Sequence, residues 1–167
     1  LFAFNELGSL LEINGLDPES IQGDRICTEL FRKISEKDPE NVMDISDCPD
    51  LGPVLFAVAA AKGGGRFTGI KRLRIKESDR AACMGEELEK FGIRSEISEN
   101  DMVIFRGKPE VPAVMTDGHN DHRIAMALTV LLSLTGGVIK GAEAVSKSWP
   151  EFFTVMAGHG LKISTEQ

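Results

Sequence analysis

The sequence contains no tyrosine and one tryptophan, and aromatic residues make up 6% of its 167 positions. It therefore offers few rings on which nucleic-acid bases could stack, and its net charge of −7 opposes binding to a phosphate backbone. The three cysteines, Cys27, Cys48 and Cys83, share no metal-ligand spacing and favour free thiols in a reducing cytosol. The longest apolar run, Pro53–Ala61, is far shorter than the roughly 20 residues of a membrane helix, and a signal-like start is lacking. These absences argue against a secreted, membrane-spanning or nucleic-acid-binding protein.

Hydrophobic residues make up 42% of the chain and charged residues 27%, so the composition fits a folded domain that can bury a core. At roughly 100–200 residues per domain, the length corresponds to one domain. The sequence begins with Leu1-Phe2-Ala3, without methionine, inside a segment that already has helical patterning. We therefore expect a fragment, preceded by at least one strand and a further domain.

One order of elements recurs three times along the chain. In each copy an apolar helical run leads into a short β-rich stretch and a glycine, and a charged loop then precedes a second helix. The predicted helix, strand and second helix are Leu1–Leu11, Glu12–Gly15 and Arg25–Ile34; Pro53–Ala61, Arg66–Gly69 and Asp79–Phe91; and Asp121–Leu134, Val138–Gly141 and Trp149–Ala157. A hairpin is predicted where Arg94–Ile97 and Met102–Phe105 flank a polar turn. The pattern predicts an α/β (α+β) domain built from repeated βαβαββ units.

The first unusual charge lies at the start of an apolar helix, where Asp50 directly precedes the run Leu51–Ala61. One interpretation is an N-cap or first-turn acid, which the helix dipole favours. The other interpretation is chemical, because a carboxylate at a helix entrance is well placed to hold or deprotonate a hydroxyl. The sequence leaves both interpretations open.

Five basic residues lie among the ten positions from Lys71 to Arg80, before and inside the first turn of the next predicted helix. Cations at a helix N-terminus oppose the macrodipole unless an anion is nearby. This favours a phosphate or carboxylate site over a solvated basic loop, with Lys76 as a point charge and Arg80 as a bidentate fork. Glu77 lies among these cations, where it could exchange a proton with a substrate carbon.

Two further cations lie at helix entrances. Arg123 is in the first turn of the third apolar helix, and Lys147 precedes the last predicted helix, as Lys76 precedes its own helix in the second copy. Surface exposure would explain each cation alone, but their repetition at equivalent entrances indicates one anion-binding face. His119 and His122 share an H-x-x-H spacing, yet a third ligand of suitable placement is not evident, which disfavours a zinc site.

Four segments resemble the successive signatures of one known family. They are residues 49–50 (PD), 73–80 (LRIKESDR), 120–127 (NDHRIAMA) and 147–150 (KSWP). In this order they resemble the 3-phosphoshikimate 1-carboxyvinyltransferase (EPSP synthase) family, and residues 22–24 (QGD) resemble a further segment of it. The resemblance extends over the whole chain but over the C-terminal part of a family member. We therefore expect residues 1–167 to be a C-terminal domain whose N-terminal domain is absent from this sequence.

The resemblance implies three βαβαββ units around a pseudo-threefold axis and a second domain, with substrates between the two. It implies transfer of the enolpyruvyl group of phosphoenolpyruvate to the 5-hydroxyl of shikimate 3-phosphate, with release of phosphate and without a metal or organic cofactor. Asp50 is expected to take the hydroxyl proton and, with Lys76, to bind shikimate 3-phosphate, while Glu77 moves the proton at the methylene carbon. The residues expected to bind phosphoenolpyruvate are Arg80, Arg123 and Lys147. The expected protein is a cytoplasmic monomer that binds neither nucleic acid nor membranes and is inactive as the isolated fragment.

Three features depart from the family pattern. Residues 35–46 form a short segment, which predicts a trimmed hairpin, while Arg72 and Trp149 stand where relatives carry an amide residue and a phenylalanine. Two other functions remain open. A non-catalytic module on the same repeat would bind anions or nucleotides without chemistry, although Asp50 and Glu77 among the cations count against it. RNA 3′-phosphate cyclases share the repeat unit, but the net charge of −7 opposes RNA binding.

Overall fold

The computed structural model describes residues 1–17, 19–36 and 42–164. Within these ranges the chain forms helices, short strands and several 3₁₀-helical turns. The helices are α1 (Phe2–Glu6), α2 (Cys27–Glu36), α3 (Gly52–Lys62), α4 (Arg80–Lys90), α5 (His122–Thr135) and α6 (Phe152–Gly158). The strands are β1 (Val42–Asp44), β2 (Gly65–Thr68), β3 (Ser95–Ile97), β4 (Asp101–Ile104), β5 (Thr116–Asp117) and β6 (Ile139–Lys140).

Residues 42–104 form one complete βαβαββ unit, which confirms the predicted repeat and the α/β class. Its strands lie in the order β1-β2-β4-β3, with β1 parallel to β2 and the other neighbours antiparallel. The predicted hairpin is present as β3 and β4, where Ser95 lies opposite Ile104 and Ile97 opposite Met102. Helices α3 and α4 connect the strands in the order that the sequence predicted.

A second copy runs from β5 through α5 and β6 to α6, and its two strands are parallel. The sequence analysis missed β1 and β5, because each has only two or three residues and leaves no periodic signal. The helix predicted from Trp149 begins instead at Phe152, and Ser148 does not cap it. The reason is that the amides of Ser148 and Trp149 both donate to the carbonyl of Val145, which prolongs the preceding turn.

The first copy departs furthest from its prediction. Its first helix ends at Glu6 rather than Leu11, and residues 12–15 do not form the predicted strand. The side chain of Asn5 instead binds both backbone groups of Leu11, at 2.8 Å to the carbonyl and 2.7 Å to the amide, which ties this segment to α1 rather than to a sheet. The trimmed hairpin was predicted at residues 35–46, of which residues 37–41 lie outside the described residues and residues 42–44 form strand β1.

Helix α3 lies at the centre of the hydrophobic core. The side chains of residues 55–60 are fully buried, and the helix contacts α2, α4, α5 and the sheet strands β2 and β4. A helix that is apolar on all sides must be surrounded by other elements, which is the environment that the run Leu51–Ala61 requires. This burial fixes the N-terminal end of α3, and therefore Asp50, relative to α4 and α5.

Strands β2 and β6 end in the same way, at a glycine in the left-handed conformation. Gly69 has φ 77° and Gly141 has φ 72°, and each begins a 3₁₀ helix, Ile70–Ile75 and Ala142–Lys147. Lys76 follows the first of these helices directly, and Lys147 is the last residue of the second. The repeat therefore places both lysines at the C-terminal end of equivalent 3₁₀ helices. Their positions in the two copies differ by one residue.

Gly69→Ala is expected to destabilise the 167-residue chain by about 2–4 kcal/mol, because it adds a clash to the cost of a left-handed alanine. A Cβ at this position would lie 2.5 Å from Oδ1 of Asp44 and 2.7 Å from the amide nitrogen of Ser46. Gly92→Ala is the matched control, because Gly92 has φ 75° but no atom within 4 Å of the added Cβ. Urea unfolding that gave equal losses for both variants would contradict the predicted clash.

Candidate active site

The carboxylate of Asp50 lies at the N-terminal end of α3 but does not cap it. Asp50 is in the 3₁₀ turn Pro49–Leu51, and neither this turn nor α3 has a side-chain cap hydrogen bond. The N-cap interpretation of Asp50 is therefore wrong, whereas its place as an acid in the first helical turn is confirmed. Because its oxygens are not bound by the helix backbone, they are available to side chains from other elements.

Three cations converge on Asp50, two from the basic segment of residues 71–80 and one from the first turn of α5. Oδ1 of Asp50 lies 3.1 Å from Nζ of Lys76 and accepts a hydrogen bond from Nη1 of Arg80 at 2.8 Å. Oδ2 accepts from Nη2 of Arg123 at 2.9 Å, and the second Nη of that arginine donates to the backbone carbonyl of Asp50 at 3.2 Å. The predicted anion-binding cations thus meet at a carboxylate of the protein itself.

Arg80 is the most buried member of this group, with 1% of its side chain exposed. Its Nε donates to Oδ2 of Asp121 at 2.8 Å, and its Nη2 lies 3.3 Å from Oδ1 of the same residue. Nη2 also donates to Oε2 of Glu77 at 2.6 Å. One edge of the guanidinium fork is therefore occupied by Asp121, and the Nη1 edge faces Asp50.

Asp121 is fully buried and anchors the start of α5. Its Oδ1 accepts from the backbone amide of Arg123 at 2.9 Å as the N-cap, and its Oδ2 accepts from the hydroxyl of Ser78 at 3.0 Å. These bonds satisfy a carboxylate that would otherwise be costly to bury. Asp121 belongs to the motif at residues 120–127, but the sequence analysis did not select it, because its partner Arg80 lies 41 residues away.

Lys147 lies beside this network rather than inside it. Its Nζ donates to the backbone carbonyl and to Oδ1 of Asn120, both at 2.7 Å, and its side chain is exposed. The structure thus brings five of the six predicted site residues into direct contact and connects the sixth through Asn120 to the turn that carries Asp121. The five in direct contact are Asp50, Lys76, Glu77, Arg80 and Arg123.

The cations keep the pKa of both acids at the helix entrances low. Burial by itself raises the pKa of Asp50, but the hydrogen bond from Lys76 and the charges of Arg123 and Lys76 outweigh it, and the pKa falls below its ordinary value. Burial likewise raises the pKa of Asp121, but the hydrogen bonds from Arg80 and from the amide of Arg123 outweigh burial, so this pKa also falls below its ordinary value. Both carboxylates are therefore charged at neutral pH.

Asp24 is a further acid that the sequence analysis did not select. Burial raises its pKa, the charge of Arg123 opposes that rise, and the charge of Asp50 adds to it, so Asp24 lies within electrostatic range of both. Gly23 allows this segment to approach Asp47 closely, because an added Cβ would lie 2.5 Å from the carbonyl oxygen of Asp47. The signal that could have identified Asp24 was its place in residues 22–24, the QGD segment.

His119 and His122 do not share a ligand site. Nε2 of His119 bonds to Oε1 of Glu87 at 2.8 Å, whereas Nδ1 of His122 is buried without a hydrogen-bond partner. Burial and the charge of Arg123 lower the pKa of His122, which favours its neutral form. In residues 1–17, 19–36 and 42–164, three or more histidine, cysteine or acidic side chains do not come together as a metal site.

The site combines cations at the first turns of α4 and α5 with acids that neutralise them. Such cations oppose the helix dipoles, so an anion has to remain nearby. In this structure the anions are the carboxylates of Asp50 and Asp121. A ligand with carboxylate or phosphate groups can compete with Asp50 for Arg123 and Lys76, since both remain about a third exposed.

Comparison with known proteins finds one family. The profile of the EPSP synthase (3-phosphoshikimate 1-carboxyvinyltransferase) family matches residues 10–156. The chain is similar to the 3-phosphoshikimate 1-carboxyvinyltransferase of Clostridium kluyveri, with 40% identity over 88% of this chain and 38% of that protein. The protein of the same name from Saccharolobus islandicus is 42% identical over 74% of this chain and 30% of its own length.

The fold is also similar to solved structures. An EPSP synthase structure from Acinetobacter baumannii superposes with a TM-score of 0.66 and 32% identity, over 74% of this chain and 30% of that one. This chain therefore spans 30% to 38% of the length of these two curated relatives. In the part of the chain that the structure describes, no helix is long and apolar enough to cross a bilayer.

Proposed function

This chain belongs to the EPSP synthase family, and we propose that it is the C-terminal domain of an enzyme that transfers the enolpyruvyl group of phosphoenolpyruvate to the 5-hydroxyl of shikimate 3-phosphate. The products are 5-enolpyruvylshikimate 3-phosphate and inorganic phosphate. The observation that carries the proposal is the convergence of Lys76, Arg80 and Arg123 on the carboxylate of Asp50. Both substrates are anions, and the proposal assigns these cations to binding them and the carboxylate of Asp50 to accepting a proton.

Phosphoenolpyruvate is assigned to the cations on the α5 side of the site. Arg123 offers two parallel donors, which match the two oxygens of a carboxylate or phosphate edge. Lys147 and the Nη1 edge of Arg80 supply the remaining positive charge. Lys76, with Asp50, is assigned to shikimate 3-phosphate. When phosphoenolpyruvate takes over the donors of Arg123, Asp50 loses one of the charges that lower its pKa, and it becomes a stronger base.

The reaction then needs two carboxylates with separate roles. Asp50 takes the proton of the 5-hydroxyl while that oxygen forms a bond to carbon 2 of phosphoenolpyruvate, and Glu77 gives a proton to carbon 3. Glu77 then removes a proton from carbon 3, the bond between carbon 2 and the phosphate oxygen breaks, and the enol ether forms. The departing phosphate takes the proton that Asp50 received, which returns both carboxyl groups to their starting states. The intermediate carries several negative charges, which preorganised cations stabilise best in a closed site from which water is excluded.

The proposal includes a second domain of the same protein. Substrates would lie between an N-terminal domain and the face formed by Asp50, Glu77 and the cations, in a cytoplasmic monomer that needs no metal or organic cofactor. Phosphate release by the complete protein tests this function, and it is expected when both substrates are present together. A non-catalytic anion-binding module would bind phosphoenolpyruvate but release no phosphate.

Arg123→Lys is expected to weaken phosphoenolpyruvate binding by roughly 1–3 kcal/mol, although the charge is kept. A lysine cannot present two parallel donors, as Arg123 does toward the carboxylate and carbonyl of Asp50. Titration of the complete protein with phosphoenolpyruvate measures the change. Arg72→Lys is the control, because Arg72 is exposed and makes one hydrogen bond to the carbonyl of Ser46. Wild-type affinity in Arg123→Lys would contradict the assignment.

A further inference from the structure

Glu87 is a buried acid on α4 that the proposed chemistry does not use. Its side chain is 1% exposed, and both of its oxygens are occupied. Oε1 lies 2.8 Å from Nζ of Lys90 and 2.8 Å from Nε2 of His119, and Oε2 accepts from the amide of Asp117 at 3.0 Å. A buried carboxylate is costly unless it is fully paired. Here two of its three partners belong to one turn, residues 117–121.

This turn contains two consecutive residues in an unusual conformation. His119 has φ 49° and Asn120 has φ 53°, which are positive values that residues other than glycine seldom adopt. Such a conformation persists when surrounding contacts impose it. Besides Glu87, the turn is held by Oδ1 of Asp117, which accepts from the amide of His119 at 2.8 Å.

The left-handed pair determines where the functional side chains lie. It directs the carbonyl and Oδ1 of Asn120 toward Nζ of Lys147, both at 2.7 Å. Oδ2 of the next residue, Asp121, accepts a hydrogen bond from Nε of Arg80 at 2.8 Å. The turn therefore connects Glu87 on one side to Lys147 on the other through Asn120, whereas the carboxylate of Asp121 is also held by Ser78 and by the amide of Arg123.

We propose that Glu87 is a positioning residue for phosphoenolpyruvate, acting through the turn at residues 117–121 on the ammonium group of Lys147. This inference rests on the proposed function. Glu87 suits this role because an ionised carboxylate only accepts hydrogen bonds, and it faces three donors. An amide in its place would present a donor to one of them. Two donors facing each other would repel, which would loosen residues 117–121 while α4 keeps its shape.

Glu87→Gln in the complete protein is expected to raise the KM for phosphoenolpyruvate about tenfold, equivalent to about 1.4 kcal/mol. The KM for shikimate 3-phosphate should change less than about twofold, because the ion pairs of Lys76 and Asp50 are with each other and with Arg80 and Arg123, which lie outside residues 117–121. In a Lys147→Met background, Glu87→Gln should raise the KM for phosphoenolpyruvate by less than about a further twofold. The reason is that both substitutions affect the same interaction, that of Lys147 with phosphoenolpyruvate. Glu89→Gln is the matched control, an exposed glutamate on the same helix, and should leave both constants unchanged.

Two additional measurements separate the possible failures. Amide hydrogen exchange in residues 117–121 should accelerate about tenfold in Glu87→Gln while the amides of α3 stay unchanged, a result that needs no catalysis. His119→Gln, at a residue with 22% side-chain exposure, should raise the same KM in the same direction without unfolding the protein. Equal increases in both KM values, or additive effects of Glu87→Gln and Lys147→Met, would overturn the proposal. If the wild-type protein released no phosphate, the proposed function would fail instead, and unchanged exchange in the turn would still refute the role of Glu87.

Discussion

Asp50→Asn is expected to reduce turnover in the complete protein by about 100- to 10,000-fold, the usual loss when a proton-transfer group is removed. The asparagine keeps the size of the side chain, but its single oxygen can accept from Lys76 and Arg80 or from Arg123, not from both sides. Because the anionic groups of the substrates bind these cations themselves, substrate affinity should change far less than the turnover number. Because the carboxylate is not a helix cap, α3 should begin at the same residue.

Steady-state phosphate release with both substrates measures this effect. Asp47→Asn is the control, since Asp47 is an exposed acid in the segment that leads into the same helix. Thermal unfolding of both variants shows whether the fold is intact. An unchanged turnover number in Asp50→Asn would remove Asp50 from the proton transfer and leave it as a partner of the cations.

Arg80→Gln is expected to lower the free energy of unfolding of the 167-residue chain by about 3–5 kcal/mol, because it leaves a buried carboxylate without its cation. Asp121 is fully buried, and Arg80 is its closest positive charge, with Nε at 2.8 Å from Oδ2. Arg74→Gln is the control. Arg74 is 39% exposed and its nearest carboxylate oxygen, in Asp79, is 3.9 Å away, so the change should stay within about 0.5 kcal/mol.

The difference between wild type and Arg80→Gln should depend on pH. The folded pKa of Asp121 is lowered, so its charged form stabilises the fold above the ordinary carboxyl pKa, and this stabilisation is lost as pH falls through the folded value. Without Arg80, burial raises the pKa of Asp121, and the acid is neutralised at a higher pH. The gap between the two unfolding free energies should therefore narrow below about pH 4. A gap that stays constant down to low pH would contradict the charge pairing as its cause.

The sequence predicted the parts of the fold that have a strong local pattern. The apolar run before Lys62, the amphipathic helix after Asp79 and the hairpin after Arg94 all lie within a few residues of their predicted positions. The short strands β1 and β5 could not be predicted, because their pairing with β2 and β6 defines them. The strand predicted at residues 12–15 does not form, and the residue before it, Leu11, binds the side chain of Asn5 through both of its backbone groups.

The candidate site could be predicted in its composition but not in its connections. Cations at helix entrances indicated an anion site, and five of the selected residues do meet, although their roles stay predictions. The contacts that organise them cross long stretches of chain, such as Arg80 with Asp121 over 41 residues and His119 with Glu87 over 32. A buried arginine and a buried glutamate leave no periodic signal, because tertiary packing alone decides that they pair.

The ion pairs of Arg80 join elements from two different repeat units. Asp50 and Arg80 belong to the unit of residues 42–104, whereas Asp121 begins the helix of the next unit. These ion pairs therefore link the two units at the face that bears the site. If one unit slid against the other, the buried charges of Arg80 and Asp121 would be separated. Because that separation is costly, the domain resists internal shear at this face. Any movement that encloses a substrate at this face therefore has to move the two linked repeat units together, as one rigid body.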